Sequence, residues 1–348
     1  MPIGVPHHDS CGHRYNAGDY QCKLLDGVWA VGPARAGRST PVAATVMTVS
    51  RTQIVLLSVC PVSWHSGVGQ PRNVVTNASL DHQQRINRHF DASAQHWKNV
   101  YDRRTLEGVI YQSRRSLALQ WIQDLALPRD SRVLEVGCGA GLVAIDLARH
   151  NYSVNCIDAS KEMVALAVKE ARDAGISGQL AIEVGDVHTL VFGSGAFDLV
   201  IALGVVPFLH SPERALAEMA RVSRRGSWIL FSFDNRFRLN RLLDPRFAPF
   251  PGRERLKRVL TDIGAKLPAE FSANLFSYKA IKTMLERAGL HVERRATIGF
   301  GPFTLLGERL FADPLAIRLH TRLQRQADLG VPVLRSVGTQ YLVLARKS

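Results

Sequence analysis

The sequence predicts an α/β fold, a doubly wound and mostly parallel sheet with helices on both faces. Three observations predict it. Short apolar stretches (RVLEVG, YSVNCID, LAIEVGD, FDLVIAL and SWILFSF) alternate with segments of helical periodicity. The first of them runs into a glycine-rich turn, VLEVGCGAG at 133–141, and from there into the helical pattern LVAIDLARH. The second and third end in acids, Asp158 and Asp186.

Taken in chain order, residues 1–80 stand apart. They carry glycine, proline and serine without periodicity and few acids (Asp9, Asp19, Asp26), so a disordered or mis-assigned leader is expected. His7, His8, Cys11, His13 and Cys22 match no zinc-finger or ribbon spacing, and no metal site is expected there. From about Asp81 the character changes. INRHFDASAQHWKNVYD places Phe90, Trp97 and Tyr101 at helical spacing, and GVIYQSRRSLALQWIQDLAL reads as an amphipathic helix ending before Pro128. Trp97 and Trp121 are expected to pack these helices on the core. The five strands follow, with helices KEMVALAVKEARDAG and SPERALAEMARVS between them. An insertion of about 234–277 interrupts the alternation, followed by the helix SYKAIKTMLERAGL and the strand VERRATIGF. A second insertion, about 301–338, carries the amphipathic run LAIRLHTRLQRQADL and precedes a last strand, QYLVLARK.

Composition sets bounds. The 348 residues suffice for one large domain or two, and 46% hydrophobic with 21% charged residues is ordinary for a globular chain. Among the five cysteines, Cys138 and Cys156 fall in the core motifs and no paired framework is visible, which fits a reducing, cytoplasmic setting. The net charge of +14 is concentrated in the last third, in runs such as RFRLNRLLDPRF. A basic surface of this kind attracts nucleic acid, anionic membrane or an acidic substrate, or is simply solvated. The most apolar stretch is broken by Arg51, Thr52 and Gln53, so no membrane span is expected. The first residues lack the pattern of a secretory signal.

The glycine spacing narrows the ligand. A dinucleotide fingerprint places its third glycine where Leu142 stands, and no Gly-Lys-Ser/Thr of a phosphate loop follows. What stands here is E-x-G-x-G-x-G, with Glu135 on the strand itself. An acid in that place repels a pyrophosphate but suits a ligand carrying an ammonium and a sulfonium. Asp158 follows about twenty residues on, the spacing at which a carboxylate reaches a ribose.

Together VLEVGCGAG, CIDAS, GDVHTL and FDLVIALGVVPFL resemble the ordered motifs of class I S-adenosylmethionine-dependent methyltransferases, of the small-molecule type that includes the ubiquinone- and menaquinone-biosynthesis enzymes. The resemblance is firm over 131–235 and looser over 85–348. It implies a Rossmann-like seven-stranded sheet whose last strand is antiparallel. It also implies an N-terminal helical lid at 81–128, and a methyltransferase domain at 129–348 with a substrate cap at about 234–277. S-adenosyl-L-methionine is the implied cofactor. Gly137, Cys138 and Gly139 are expected at its methionine end, with Glu135 ordering the loop or reaching the ammonium through water. Asp158 is expected on the ribose, Ala159 against the adenine, Asp186 and the Val187 backbone at the adenine amino group, and Leu203 beside the sulfur. From the lid, Tyr101, Tyr111 and Arg115 are candidates for the cofactor's carboxylate. Related O-methyltransferases carry a histidine where Phe208 stands here. His210 is shifted from that place, so no catalytic base is assigned. Asp234 and Asn235 are expected to face the substrate or to cap a turn.

The implied reaction is methyl transfer to a small acceptor such as a phenol, quinone precursor, polyketide or lipid-linked group. A nucleic-acid methyltransferase is the alternative, argued from the basic C-terminal third. Against it, the fourth strand ends in ALGVVPF, without the Pro-Pro-aromatic motif that would hold a flipped base. A non-catalytic binding protein is a third possibility, opposed by the intact glycines and both acids.

Overall fold

The structure is a computed structural model. It describes four strands within residues 20–57, then residues 77–240, 273–305 and 308–348, with side chains from residue 83 onward. Contacts divide the chain into two units, Met1–Val74 and Val75–Ser348.

In the first unit, where a leader is expected, the described residues form a four-stranded antiparallel sheet: β1 (Tyr20–Leu25), β2 (Val28–Pro33), β3 (Val46–Ser50) and β4 (Gln53–Leu57). The His7, His8, Cys11 and His13 group lies outside the described residues, as does the side chain of Cys22.

The second unit begins with two helices, α1 (Asn77–Asn99) and α2 (Leu106–Asp124), the latter capped by Thr105, whose hydroxyl accepts from the Gly108 N–H. Alternation follows: β5 (Arg132–Val136), α3 (Leu142–Arg149), β6 (Ser153–Asp158), α4 (Lys161–Asp173), β7 (Leu180–Val184), β8 (Phe197–Ala202), α5 (Pro212–Val222) and β9 (Ser223–Asp234). Then come α6 (Tyr278–Arg287), β10 (Leu290–Ile298), the short pair β11 (Thr304–Leu305) and β12 (Glu308–Arg309), α7 (Asp313–Asp328) and β13 (Gln340–Lys347). The expected amphipathic run in the second insertion is therefore a helix. Most of the expected cap, residues 241–272, lies outside the described residues.

The main sheet has seven strands in the order β10-β13-β9-β8-β5-β6-β7. Only the last strand, β13, runs antiparallel to its neighbours β9 and β10, as the sequence implies. Alternation along each strand builds two cores. Leu134, Val200, Ile229 and Phe231 face α5 and α6, while Val133, Leu199, Ile201 and Leu230 face α2, α3 and α7. Both faces of β5 are thus covered, and its Val133, Leu134 and Val136 are fully buried, as a continuous apolar run in a parallel strand demands. The first β-strand of this sheet, β5, pairs with β6 on one side and β8 on the other. The connections leave it in opposite directions there, which opens a crevice at the carboxyl ends of the strands.

Candidate active site

That crevice is a cavity of about 440 Å³, within the range of small-molecule sites. Each parallel strand of its floor delivers residues from its carboxyl end: Gly137, Cys138 and Gly139 after β5, Asp158 ending β6, Asp186 after β7, Leu203 and Gly204 after β8, and Asp234 ending β9. Helices α1 and α2 and the turn between them supply Phe90, Trp97, Tyr101, Tyr111, Arg114 and Arg115 to its walls. All twelve residues expected to hold the cofactor, Ala159 and Val187 included, line this one cavity.

The glycine turn is built for close approach. Gly137 has φ +63°, and a Cβ there would sit 2.4 Å from Val205 Cγ2. Gly139 has φ +53°, and a Cβ there would find no protein atom nearer than Met163 Sδ at 4.0 Å. Its bare face is turned to open space, so a ligand meets backbone rather than side chain. The turn is tied to β6 through Asp158, whose Oδ2 accepts from the Gly139 N–H at 2.8 Å and whose Oδ1 accepts from the Ser160 N–H at 2.9 Å. Each of these oxygens keeps a lone pair for a hydroxyl donor. Burial raises the Asp158 carboxyl above its ordinary range.

Glu135 lies beneath the turn, 3% exposed, and its Oε2 has no hydrogen-bond partner among the described residues. Burial pushes its carboxyl up to about 8. Beside it, a hydrogen bond with Cys156 and then burial push the Cys138 thiol well up, so Cys138 offers no thiolate.

At the next strand end, Asp186 Oδ1 accepts from the His188 backbone N–H at 2.9 Å and lies 2.7 Å from His188 Nδ1. Burial pushes the Asp186 carboxyl up, but these hydrogen bonds outweigh it and hold it below the usual range. His188 is itself buried, stacks on His210 with ring centroids 3.9 Å apart, and has an Nε2 without a partner among the described residues. His210 does not line the cavity. Its backbone N–H and Nδ1 both face Gln83 Oε1 at 3.1 Å, which pins the loop to α1.

Helix α2 contributes two arginines in opposite roles. Arg115, one of the three candidates for the cofactor's carboxylate, gives its Nε and Nη2 to Asp146 at 3.0 and 2.5 Å and a further bond to the Leu142 carbonyl. Its guanidinium ties α2 to α3. Arg114 is the buried one, 5% exposed. It donates to Gln340 Oε1 and to the Tyr101 hydroxyl, each at 3.2 Å, stands 4.9 Å over the Tyr111 ring, and keeps its Nε without a partner among the described residues. Its Nη1 would be 2.9 Å from a Cβ on Gly204, so it lies directly over the end of β8.

The aromatic wall runs Phe208, Phe90, Trp97, Tyr111 and Tyr101, with successive ring centroids 5.0 to 6.0 Å apart. Trp121 packs in the core as expected, whereas Trp97 lines the cavity, and its Nε1 lacks a partner among the described residues. Asp234 closes the far end. Its Oδ1 accepts from Gln340 Nε2 at 3.0 Å, Arg238 stands 3.7 Å from its Oδ2, and burial raises its carboxyl. Asn235 next to it turns away and holds the Ser336 and Gly338 carbonyls at 2.9 Å, which makes it a structural peg.

Comparison with known proteins agrees with this geometry. Residues 134–231 match the family described as a methyltransferase domain. The chain is 38% identical over 102 residues to a phosphatidylethanolamine N-methyltransferase of Cereibacter sphaeroides, covering 29% of this chain and 50% of that protein. It is 31% identical over 141 residues to an ajmaline N-methyltransferase of Rauvolfia serpentina, covering 40% and 46%. It is 28% identical over 202 residues to a ubiquinone biosynthesis O-methyltransferase of Thiobacillus denitrificans, covering 57% and 80%. The chain thus spans about half the length of the first two relatives. Among solved structures, magnesium protoporphyrin IX methyltransferase from Synechocystis shares the fold, with TM-score 0.52 and 18% identity over 76% of this chain and all of that one.

Fold, glycine turn and strand-end acids define a Rossmann-like enzyme domain of the methyltransferase kind. The chain contains a methyltransferase domain over residues 134–231 and is similar to both N- and O-methylating enzymes.

Proposed function

We propose that this protein transfers a methyl group from S-adenosyl-L-methionine to a small-molecule acceptor bound beneath α1 and α2. The observation that carries the reading is the meeting, in one cavity, of a Cβ-free Gly139 face, a doubly anchored Asp158 and a buried, half-satisfied Glu135. These residues fit the cofactor. Asp158 has a spare lone pair on each oxygen for the two ribose hydroxyls. Asp186 keeps its Oδ2 for the adenine amino group, with Ala159 and Val187 against the ring. Glu135 offers an unsatisfied acceptor to the ammonium, and Arg114 offers a free Nε–H to the carboxylate.

When bound, S-adenosylmethionine supplies a sulfonium-activated methyl that is displaced in line. The chain's own residues supply alignment and dryness. Leu203 and Gly204 set the edge past which the acceptor approaches, and the wall from Phe208 to Tyr101 excludes water and stacks on a flat or apolar acceptor. Asp234, with its raised carboxyl, is the group that would hold or take a proton at the acceptor atom. Helices α1 and α2 act as the lid expected at 81–128, and residues 129–348 form the catalytic domain. The buried free thiols Cys138 and Cys156 support a reducing, cytoplasmic setting. No helix among the described residues is long and apolar enough to cross a membrane.

Calorimetric titration with S-adenosylmethionine, and with NAD and ATP as controls, tests the reading. Micromolar binding of S-adenosylmethionine alone is expected, followed by transfer of labelled methyl in an acceptor screen. A folded protein that ignores S-adenosylmethionine, or that prefers NAD or ATP, would overturn it.

A further inference from the structure

The second insertion puts on the surface a feature that methyl transfer does not use. Helix α7 turns Ala316, His320 and Ala327 inward, where all three are buried. Its opposite face carries Leu315, Arg318, Arg322, Arg325 and Leu329, all exposed. At about 100° per residue these five fall within a stripe roughly 80° wide. The stripe is apolar at both ends and cationic in the middle. Leu315 and Leu329 are 53% and 71% exposed, and Leu310 before the helix and Val333 after it are 53% and 68% exposed.

Two further facts set it apart from an ordinary solvated helix. None of Arg318, Arg322 and Arg325 has an ion-pair partner among the described residues, although Arg309 nearby is paired with Asp313. No acid shares the stripe, because Asp313 and Asp328 lie off it. Most of the large exposed apolar side chains of the described chain gather in residues 305–333, around these arginines.

We infer that the outer face of α7 docks the protein on an anionic lipid surface. An apolar edge that enters the headgroup layer, beside guanidinium groups that bind lipid phosphates, is the design of an interfacial helix. RNA is the poorer match, because the stripe presents leucine and no aromatic side chain on which a base could stack. The helix that carries this face also touches α2, half of the proposed lid. The Leu106 N–H at the start of α2 donates to Asp313 Oδ1 at the start of α7, and α2 carries Tyr111 and Arg114 into the cavity. Docking would therefore hold the helix that walls the site at the membrane, where an apolar acceptor partitions.

The test is flotation of the full chain with phosphatidylcholine vesicles, with and without a one-third share of phosphatidylglycerol. Partition onto the anionic vesicles only, weakened by salt, is expected. Replacing the three arginines together (Arg318→Gln, Arg322→Gln, Arg325→Gln) should weaken it on the order of a hundredfold, at roughly fivefold for each cation near a surface. The matching triple change to lysine should retain most of the binding. A control removing Lys169, Arg172 and Lys282 elsewhere on the surface should change it little. Leu315→Ser with Leu329→Ser should weaken it on anionic vesicles as well.

Unchanged melting temperatures establish that each variant is folded. No partition onto any vesicle would overturn the inference, and so would equal losses in the Gln triple and the control, which would mean diffuse charge alone. It also falls if the leucine changes alter the oligomeric state by light scattering, which would make the occupant a second copy. Salt-sensitive RNA binding that the Gln triple abolishes, without vesicle binding, would overturn it too.

Discussion

Asp158 Oδ2 accepts the Gly139 N–H at 2.8 Å, so the acid that ends β6 also fixes the glycine turn that follows β5. One carboxylate is therefore proposed to do two jobs: to position the backbone at the methionine end of the cofactor and to face its ribose. The two jobs separate in mutants. Asp158→Ala removes both the tether and the charge, and should weaken S-adenosylmethionine binding by an order of magnitude or more while lowering the melting temperature of the free protein. Asp158→Asn keeps one oxygen to accept from Gly139 and should restore the melting temperature more than the affinity. Calorimetry beside thermal melting reads both, and undiminished affinity in the alanine variant would remove Asp158 from the ribose site.

Glu135 sets a pH signature on stability. Its carboxyl moves from an ordinary 4.5 to about 8 on folding, because burial disfavours the charge. The folded chain then binds more protons than the unfolded chain in that window, so its contribution to stability is intact below pH 4.5 and is lost as pH rises through about 8. Glu135→Gln removes the liability. The variant should match wild type in acid, gain on it steadily through that window, and hold a constant advantage above it, on the order of a few kcal/mol at about 1.4 kcal/mol for each pKa unit. The same change should weaken S-adenosylmethionine binding, because it neutralises the carboxylate proposed to meet the ammonium. Melting curves of the ligand-free protein across pH provide the check, and a stability difference that does not vary with pH would contradict it.

Much of this was readable in the chain. Continuous apolar strands such as RVLEV, the positive-φ glycines and the strand-end acids are local features, and their order carries the sheet with them. What the chain conceals is which member of an adjacent pair turns inward on a helix. Arg114 and Arg115 are neighbours of one chemistry, and their roles are set by phase: one faces Gly204 over the sheet, the other faces Asp146 on α3. A partial signal was present, since Tyr111, Arg114 and Ala118 follow a single helical face and Ala118 is fully buried. Asp234 and Asn235 pose the same problem on a strand, where successive side chains take opposite faces. The His188–Asp186 bond is concealed as well, because nothing in GDVHTL fixes which way the His188 ring turns.

The two arginines make a sharp contrast in mutants. Arg114→Met removes the buried cation over Gly204 and should weaken S-adenosylmethionine binding by at least roughly tenfold, the value of a charge-assisted hydrogen bond. Arg115→Met breaks a partly exposed ion pair with Asp146, costs about 1 kcal/mol of stability or less, and should leave the affinity within roughly threefold of wild type. The comparison is made by titration at matched temperature. If Arg115→Met loses more affinity than Arg114→Met, the assignment of the carboxylate site is reversed.

His188 is best understood as a positioning residue for Asp186. Its ring and its backbone N–H both hold Asp186 Oδ1, at 2.7 and 2.9 Å, which leaves Oδ2 outside these two bonds for the proposed contact with the adenine amino group. His188→Phe preserves the stack on His210 but removes the ring donor. It should weaken S-adenosylhomocysteine binding by roughly three- to tenfold, the worth of one such bond. His188→Asn retains a donor near the position of Nδ1 and should recover most of the loss. The decisive readout is selectivity between S-adenosylhomocysteine and its inosine analogue, in which a carbonyl replaces the adenine amino group. A freely rotating Asp186 discriminates less, so the ratio of the two dissociation constants should shrink in His188→Phe and return in His188→Asn. An unaltered ratio with weaker binding of both ligands would mean that His188 only packs the loop, and that Asp186 needs no help to face the base.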